Sequence, residues 1–205
     1  MAKAGRSKRN GEEKKRRILR AAARVFAEKG FPRCRITDIA REAGVAYGLV
    51  YHYFKNKEEL LNTIFEENWG LLNDLLQKLA SEPISLREKI YQVFSFILDA
   101  HRNAPDVMQV MVIEVARSAK LLDRPKLATY EKSFSRLAEI LSQHQTLGEV
   151  RSELDCRLLA YCFFGIIELV LTGYQLKMME PFAADRLDSL KEQLTEFFLR
   201  GIAKG

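Results

Sequence analysis

Apolar positions recur at three- and four-residue intervals along nearly the whole chain, and no period-two alternation persists. The first such stretch, 12–29, carries Ile18, Leu19, Ala22, Val25 and Phe26 and is closed by Gly30. A short second helix is expected from Thr37, read as its N-cap with Asp38 in the first turn, to Gly44. A third covers about 47–54. The fourth runs from Lys57 to Leu79 with Leu60, Leu61, Ile64, Phe65, Leu72 and Leu76, and Pro83 stops it. Ser85 caps a fifth, with Ile90, Val93, Phe94 and Ile97. Pro105 opens a sixth, with Met108, Met111, Val112 and Val115. Pro125 opens a seventh through Tyr130, Phe134 and Leu137, ending near Gly148. Asp155 starts the eighth, and Pro181 separates it from the ninth, with Leu187, Leu194, Phe197 and Phe198. The pattern predicts an all-α chain of nine helices and no strand. Residues 1–11, basic and polar, read as a flexible arm.

Charge divides the chain more sharply than hydropathy does. Over the 205 residues the net charge is +6. Residues 1–57 hold sixteen Lys/Arg against five Asp/Glu, a net of +11, which leaves seventeen against twenty-two, a net of −5, for the rest. A basic head on an acidic body implies a polyanionic partner for the head, nucleic acid or an anionic membrane surface.

Chemistry-bearing residues exclude several classes. Cys34, Cys156 and Cys162 are odd in number and show no C-x-x-C spacing, so neither a disulfide framework nor a zinc site is expected, and a reducing cytoplasm is the simplest compartment. No G-x-G-x-x-G, no G-K-[ST] and no paired-His motif occurs, and there are only three His, so neither an enzyme nor a bound cofactor or metal is expected. The basic N-terminus is followed by no apolar run of the kind a secretory signal has. The stretch 158–176 is nineteen residues with one charge, Glu168. That is near the length of a membrane span. The acid at its middle and the lack of a second such segment favour a helix buried on nearly all sides, in a core or a subunit interface. An acid there needs a partner. An Arg, a water-filled cavity and a ligand all satisfy that need.

The functional motif lies in ITDIAREAGVAYGLVYHYF, residues 36–54. Ile39, Ala40, Ala43, Val45, Val50, Tyr53 and Phe54 are the inward positions, and Gly44 sits at a turn where a positive φ costs it little. This is the pattern of a helix-turn-helix, whose second helix enters the DNA major groove. Wound as a helix, that second segment puts Ala46, Val50, Tyr53 and Phe54 on one face and Tyr47, Gly48, Tyr51 and His52 on the other. The first set suits packing. In the second, Gly48 lets backbone approach closely, and the other three reach phosphates or base edges. Lys55 and Lys57 follow, expected beside the groove where a phosphate lies.

At these residues the sequence resembles the TetR family of bacterial transcription regulators. The resemblance rests on ILRAAARVFAEKGF (18–31), TDIAREAGV (37–45) and YGLVYHYFKNKEELL (47–61), in order and spacing. It implies a three-helix DNA-binding head over 12–56, and a six-helix body over 57–205 that binds a small ligand and forms a homodimer through the last two helices. It also implies that Thr37 touches a phosphate, that Tyr47 and Gly48 face bases, and that Tyr51, His52 and Lys57 hold the backbone. Two positions depart from the family pattern. Ala46 replaces a frequent serine, losing an N-cap, and Leu49 cannot donate to a phosphate where a threonine is frequent.

For the body, Trp69, Phe94, Ile97, Met108, Met111 and Phe134, with Glu168, are candidates to line a ligand pocket, against the default reading of core packing. The expected function is a repressor that leaves a pseudo-palindromic double-stranded DNA operator when a small apolar or amphipathic effector binds. The order of the body helices is somewhat similar to the fatty-acid-metabolism branch of the family, which implies an acyl-CoA. The alternative is an architectural DNA-binding protein without an effector. A lipid carrier leaves the helix-turn-helix unexplained.

Overall fold

Helix α1 runs Ala2–Lys29, and a 3-10 turn Phe31–Arg33 follows it. Then come α2 (Ile36–Ala43), α3 (Tyr47–Tyr53), α4 (Lys57–Ser81) and α5 (Leu86–Asn103). α6 (Pro105–Gln109) continues as a π turn over Val110–Glu114, and α7 (Arg124–Thr146), α8 (Cys156–Gln175) and α9 (Leu187–Ile202) complete the chain. The computed structural model describes residues 2–114, 124–180 and 186–203. Among them are nine α-helices and no strand, only one isolated bridge, Val150 to Ala203. The chain is all-α, as its periodicity requires.

The described residues form two compact units. One holds those up to Glu67 together with 106–114, and the other holds 68–105 and those from Arg124 onward. The first is built on Ile18, Ala22, Phe26, Ile39, Ala40, Val50, Phe54, Leu60 and Ile64. Because Leu60, Leu61 and Ile64 are buried in that core, the first turns of α4 belong to the head, and the division falls eleven residues beyond the expected one. Val110 also joins this core, and Gln109 Nε2 donates to Ala27 O at 3.1 Å. Val115, expected to continue α6, lies outside the described residues.

Two starts differ from the periodicity reading. α1 begins at Ala2, so the helical backbone extends through 2–11, where irregular chain was expected. Ala, Lys and Arg favour helix, Pro32 is the first proline, and Gly5 and Gly11 cost only about 1 kcal/mol each. α2 begins at Ile36 with Arg35 at the cap position, so Thr37 is not the N-cap. Asp38 does that work: its Oδ2 accepts from the Arg35 amide at 3.2 Å, and its own amide donates to Arg35 O at 3.0 Å. Lys29 and Arg41 both reach Asp38 Oδ1 at 2.8 Å. Lys29 and then the Arg35 amide hold this carboxylate below the usual range.

The other unit is centred on Phe163 of α8. Its ring lies 4.2 Å from Phe94 of α5, 5.2 Å from Phe198 of α9 and 5.4 Å from Phe164, measured between centroids. Ion pairs brace α5 against α9: Arg87 reaches Glu192 at 2.6 Å and Glu196 at 3.1 Å, and the nearly buried Lys191 reaches Asp99 at 3.1 Å. Asp155 caps α8, its Oδ1 accepting from the Arg157 and Leu158 amides. The end of α9 is tied to the α7–α8 loop, with Arg151 N donating to Ile202 O at 3.0 Å.

α8 is the one helix among the described residues long and apolar enough to cross a membrane, and 28% of its most apolar window is buried. It is not covered on all sides. Ala160, Phe163, Phe164, Ile167 and Leu171 face the core, while Leu158 (61%) and Leu169 (74%) are exposed. Glu168 is also exposed, which corrects the expectation of an interior acid: the apolar sequence reflects two apolar faces, and the acid lies where water reaches it.

Candidate nucleic-acid interface

The turn between α2 and α3 sets the geometry of the site. Gly44 takes φ 59 and ψ 42, the left-handed region where a side chain is strained. Its amide donates to Arg41 O at 3.1 Å, and the Val45 amide donates to Ala40 O at 3.0 Å, which closes α2 in a Schellman arrangement. Arg17 of α1 donates to Gly44 O at 2.7 Å, and Arg24 pairs with Glu42 at 2.6 Å. α3 packs on α2 through Val50 and Phe54, both buried, with the half-buried Tyr53 and Val45 against the same core. Ala46, expected inward, is exposed, because it sits at the extended N-cap (φ −63, ψ 140) before the helical register begins.

The outward face of α3 is aromatic. Tyr47 is 50% exposed and Tyr51 45%. Their rings meet edge-on at 5.0 Å, and the Tyr47 hydroxyl donates to that of Tyr51 at 3.2 Å. The neighbouring Tyr47 hydroxyl, followed by desolvation, raises the Tyr51 hydroxyl above its ordinary pKa, so it stays protonated. Gly48 lies between them on the surface, and a Cβ placed there would meet nothing within 4 Å. His52 is exposed, its ring edge-on to Tyr53 at 5.0 Å. Thr37 and Lys55 are exposed as well. Six of the seven expected contact residues are therefore open to solvent, at the start of α2 or along α3 and its exit.

Lys57 is the seventh and is placed differently. Its Nζ donates to Phe31 O at 2.9 Å, Pro32 O at 3.3 Å and Cys34 O at 3.4 Å, and it lies 4.5 Å from the centroid of the Phe31 ring. An ammonium has three donors, and all three are directed into the protein. The reading of residue types did not single out Arg33 and Arg35, which are exposed ahead of α2 beside Thr37; the signal was their charge within the +11 segment.

The residues proposed for a ligand pocket are divided between the two compact units. Met108 and Met111 fall in the compact unit of the head, and Trp69, Phe94, Ile97, Phe134 and Glu168 in the other. Trp69 and Phe134 join an aromatic cluster: Trp69 lies 4.7 Å from Tyr130 and 6.1 Å from Phe164, and Phe134 lies 4.5 Å from Phe164. Trp69 Nε1 is buried without an acceptor, and so are Asn73 Oδ1 and Ser133 Oγ without partners. Phe94 and Ile97 are buried core. A separate open groove of about 1020 Å³ runs between α8 and α9, lined by Leu159, Cys162, Ile166, Leu190 and Phe197 among others. It contains none of the seven.

Comparison with known proteins decides the class. Residues 18–64 match the family model for bacterial regulatory proteins of the tetR family. The fatty acid metabolism regulator protein of Bacillus subtilis is 32% identical over 161 residues, 77% of this chain and 81% of the relative. The chain belongs to the TetR family. It is a TetR-type transcriptional regulator, and its helix-turn-helix is the matched segment. Two solved structures share the fold over most of the chain. The fatty acid degradation regulator FadR from Bacillus halodurans superimposes with a TM-score of 0.80 at 28% identity, covering 92% of this chain and 95% of that one. The transcriptional regulator FadR from Bacillus subtilis, solved in complex with stearoyl-CoA, gives 0.78 at 29% identity, covering 91% and 98%. These relatives are regulators and not enzymes. Membership also favours a regulator over an architectural DNA-binding protein.

Proposed function

We propose that the protein is a cytoplasmic, homodimeric repressor of the TetR type that leaves its operator when a long-chain acyl-CoA thioester binds. The observation that carries the DNA half is the exposed Tyr47–Tyr51 pair flanking the open surface of Gly48. Tyr47 and the Gly48 backbone meet base edges, and Tyr51, His52, Lys55 and Thr37 hold phosphates, with Arg33 and Arg35 adding charge. Two such heads read the half-sites of a pseudo-palindromic operator. The second copy is seated on the α8–α9 groove. Leu158, Leu169 and Phe197 are exposed apolar side chains on these two helices, and isologous pairing covers them.

The effector reading is supported by the stearoyl-CoA complex of the B. subtilis neighbour and by the cluster of Trp69, Tyr130, Phe134 and Phe164. That cluster offers apolar surface, and Trp69 Nε1 and Asn73 Oδ1 offer a donor and an acceptor without partners. Binding shifts the population toward a state that fits DNA poorly, which takes a few kcal/mol of differential affinity. The test begins with duplexes selected by the protein from a randomised pool. Their affinity is measured alone, with stearoyl-CoA, and with free coenzyme A. A fall of tenfold or more with the thioester only is the expected result. Equal affinity in all three overturns the effector assignment, and no enrichment of any duplex overturns the operator.

A further inference from the structure

The ammonium of Lys57 is spent inside the head, although by sequence position it stands beside the recognition helix. Three carbonyls of one turn receive it: Phe31, Pro32 and Cys34, at 2.9, 3.3 and 3.4 Å. The Phe31 ring lies 4.5 Å from it, and the same ring packs at 5.3 Å against Phe26 of α1. Those carbonyls belong to the link between α1 and α2, and Cys34 directly precedes Arg35, the cap residue of α2.

Lys57 is also the first residue of α4, and that turn is fastened a second time. Asn56 Oδ1 accepts from the Glu59 amide at 2.8 Å. Glu59 Oε2 accepts from the Lys55 amide at 2.6 Å, at the exit of α3. The first turn of α4 is thus pinned to both sides of the helix-turn-helix: to the α3 exit through Asn56 and Glu59, and to the α2 entrance through Lys57.

We infer that Lys57 is a positioning residue, not a phosphate ligand: it locks the α1–α2 link to the first turn of α4. The recognition helix then follows the first turn of α4 as part of one body. The cation–π contact and three hydrogen bonds to carbonyls are charge-assisted and hold a link that has little regular structure of its own. Moving the ammonium out to a phosphate breaks all four contacts. The inference rests on the DNA-binding role of the head and not on the effector.

The test uses the full-length protein and the duplex that it enriches from a random pool. Lys57→Met keeps the stem and removes the charge, and Phe31→Leu removes the ring but leaves the lysine free to reach DNA. Affinity is measured over a series of salt concentrations, and amide exchange is followed over 31–36. A lost phosphate contact lowers the slope of log affinity against log salt by about one. Positioning predicts instead that both variants weaken binding tenfold or more with the slope unchanged, and that both speed exchange over 31–36. A lowered slope in Lys57→Met with unchanged exchange overturns the inference. So does wild-type affinity in either variant, or a Phe31→Leu protein whose exchange is unaltered.

Discussion

The hydroxyls of Tyr47 and Tyr51 lie 3.2 Å apart on the outer face of α3, one helical turn from each other, with their rings edge-on at 5.0 Å. Each aromatic side chain limits the rotamers of the other, so under the proposed DNA contact the pair would be ordered beforehand and lose little entropy on binding. Truncating Tyr51 to Phe keeps the ring contact and removes one donor. The expected cost is about 1 kcal/mol, roughly five- to tenfold in affinity. Tyr51→Ala also frees the Tyr47 ring and costs more. Fluorescence anisotropy on a selected duplex reads both, and wild-type affinity for Tyr51→Ala removes Tyr51 from the contact set. Because Tyr47 pushes the Tyr51 hydroxyl upward from its ordinary pKa, affinity between pH 7 and 9 shows no loss from Tyr51 ionisation.

Gly44 allows the turn to close at φ 59. Replacing it by Ala puts a Cβ in a left-handed conformation, at a cost of about 1–2 kcal/mol in head stability. Space is not the obstacle, since that Cβ would stand 3.7 Å from Arg17 Nη2. Denaturant unfolding, followed by the fluorescence of a label on the head, measures the loss. An unchanged midpoint means the turn has another conformation in solution.

The thiols should react in the order of their exposure. Cys34 is buried in the head, and burial, with Asp38 assisting, pushes its pKa up to about 11. Cys162 is exposed in the α8–α9 groove. At pH 8 a chromogenic disulfide reagent labels Cys162 quickly in the monomer and Cys34 only on unfolding. If the groove is the dimer interface, labelling of Cys162 slows as protein concentration rises. The sign of the linkage follows from the same shift. The folded state holds the Cys34 proton to a higher pH than the unfolded state does. Cys34 therefore has no effect on stability below the ordinary thiol pKa, and stability falls as pH rises from there toward 11. Cys34→Ala removes that part of the slope.

Phe197 is 68% exposed on α9 and lines the groove. Burying such a side chain is worth about 1.5–3 kcal/mol, and a symmetric interface buries it twice. Phe197→Glu instead places two acids at the seam. The expected result is a monomer by light scattering at concentrations where the wild type is a dimer, with helicity retained. A variant that stays dimeric moves the interface elsewhere.

The positions of the helices were legible in the sequence because their signals are local. Period, Gly44, the caps Ser85 and Asp155, and the proline breaks all act within a few residues. The same holds for the division of α3 into an inner face of Val50 and Phe54 and an outer face of Tyr47, Gly48, Tyr51 and His52. Both the winding and the basic setting are written in the segment itself, and the family resemblance rested on those residues.

Tertiary structure decided what depends on contacts between distant segments. Lys57 finds acceptors 23 to 26 residues away, so no local pattern distinguishes an inward ammonium from one held out to DNA. Asp38, not Thr37, caps α2 because Lys29, nine residues earlier, helps to hold its carboxylate in place. Glu168 lies in an apolar sequence yet meets water, since one protomer covers only one face of α8. Composition states how apolar a helix is, and only packing states how many of its sides are covered.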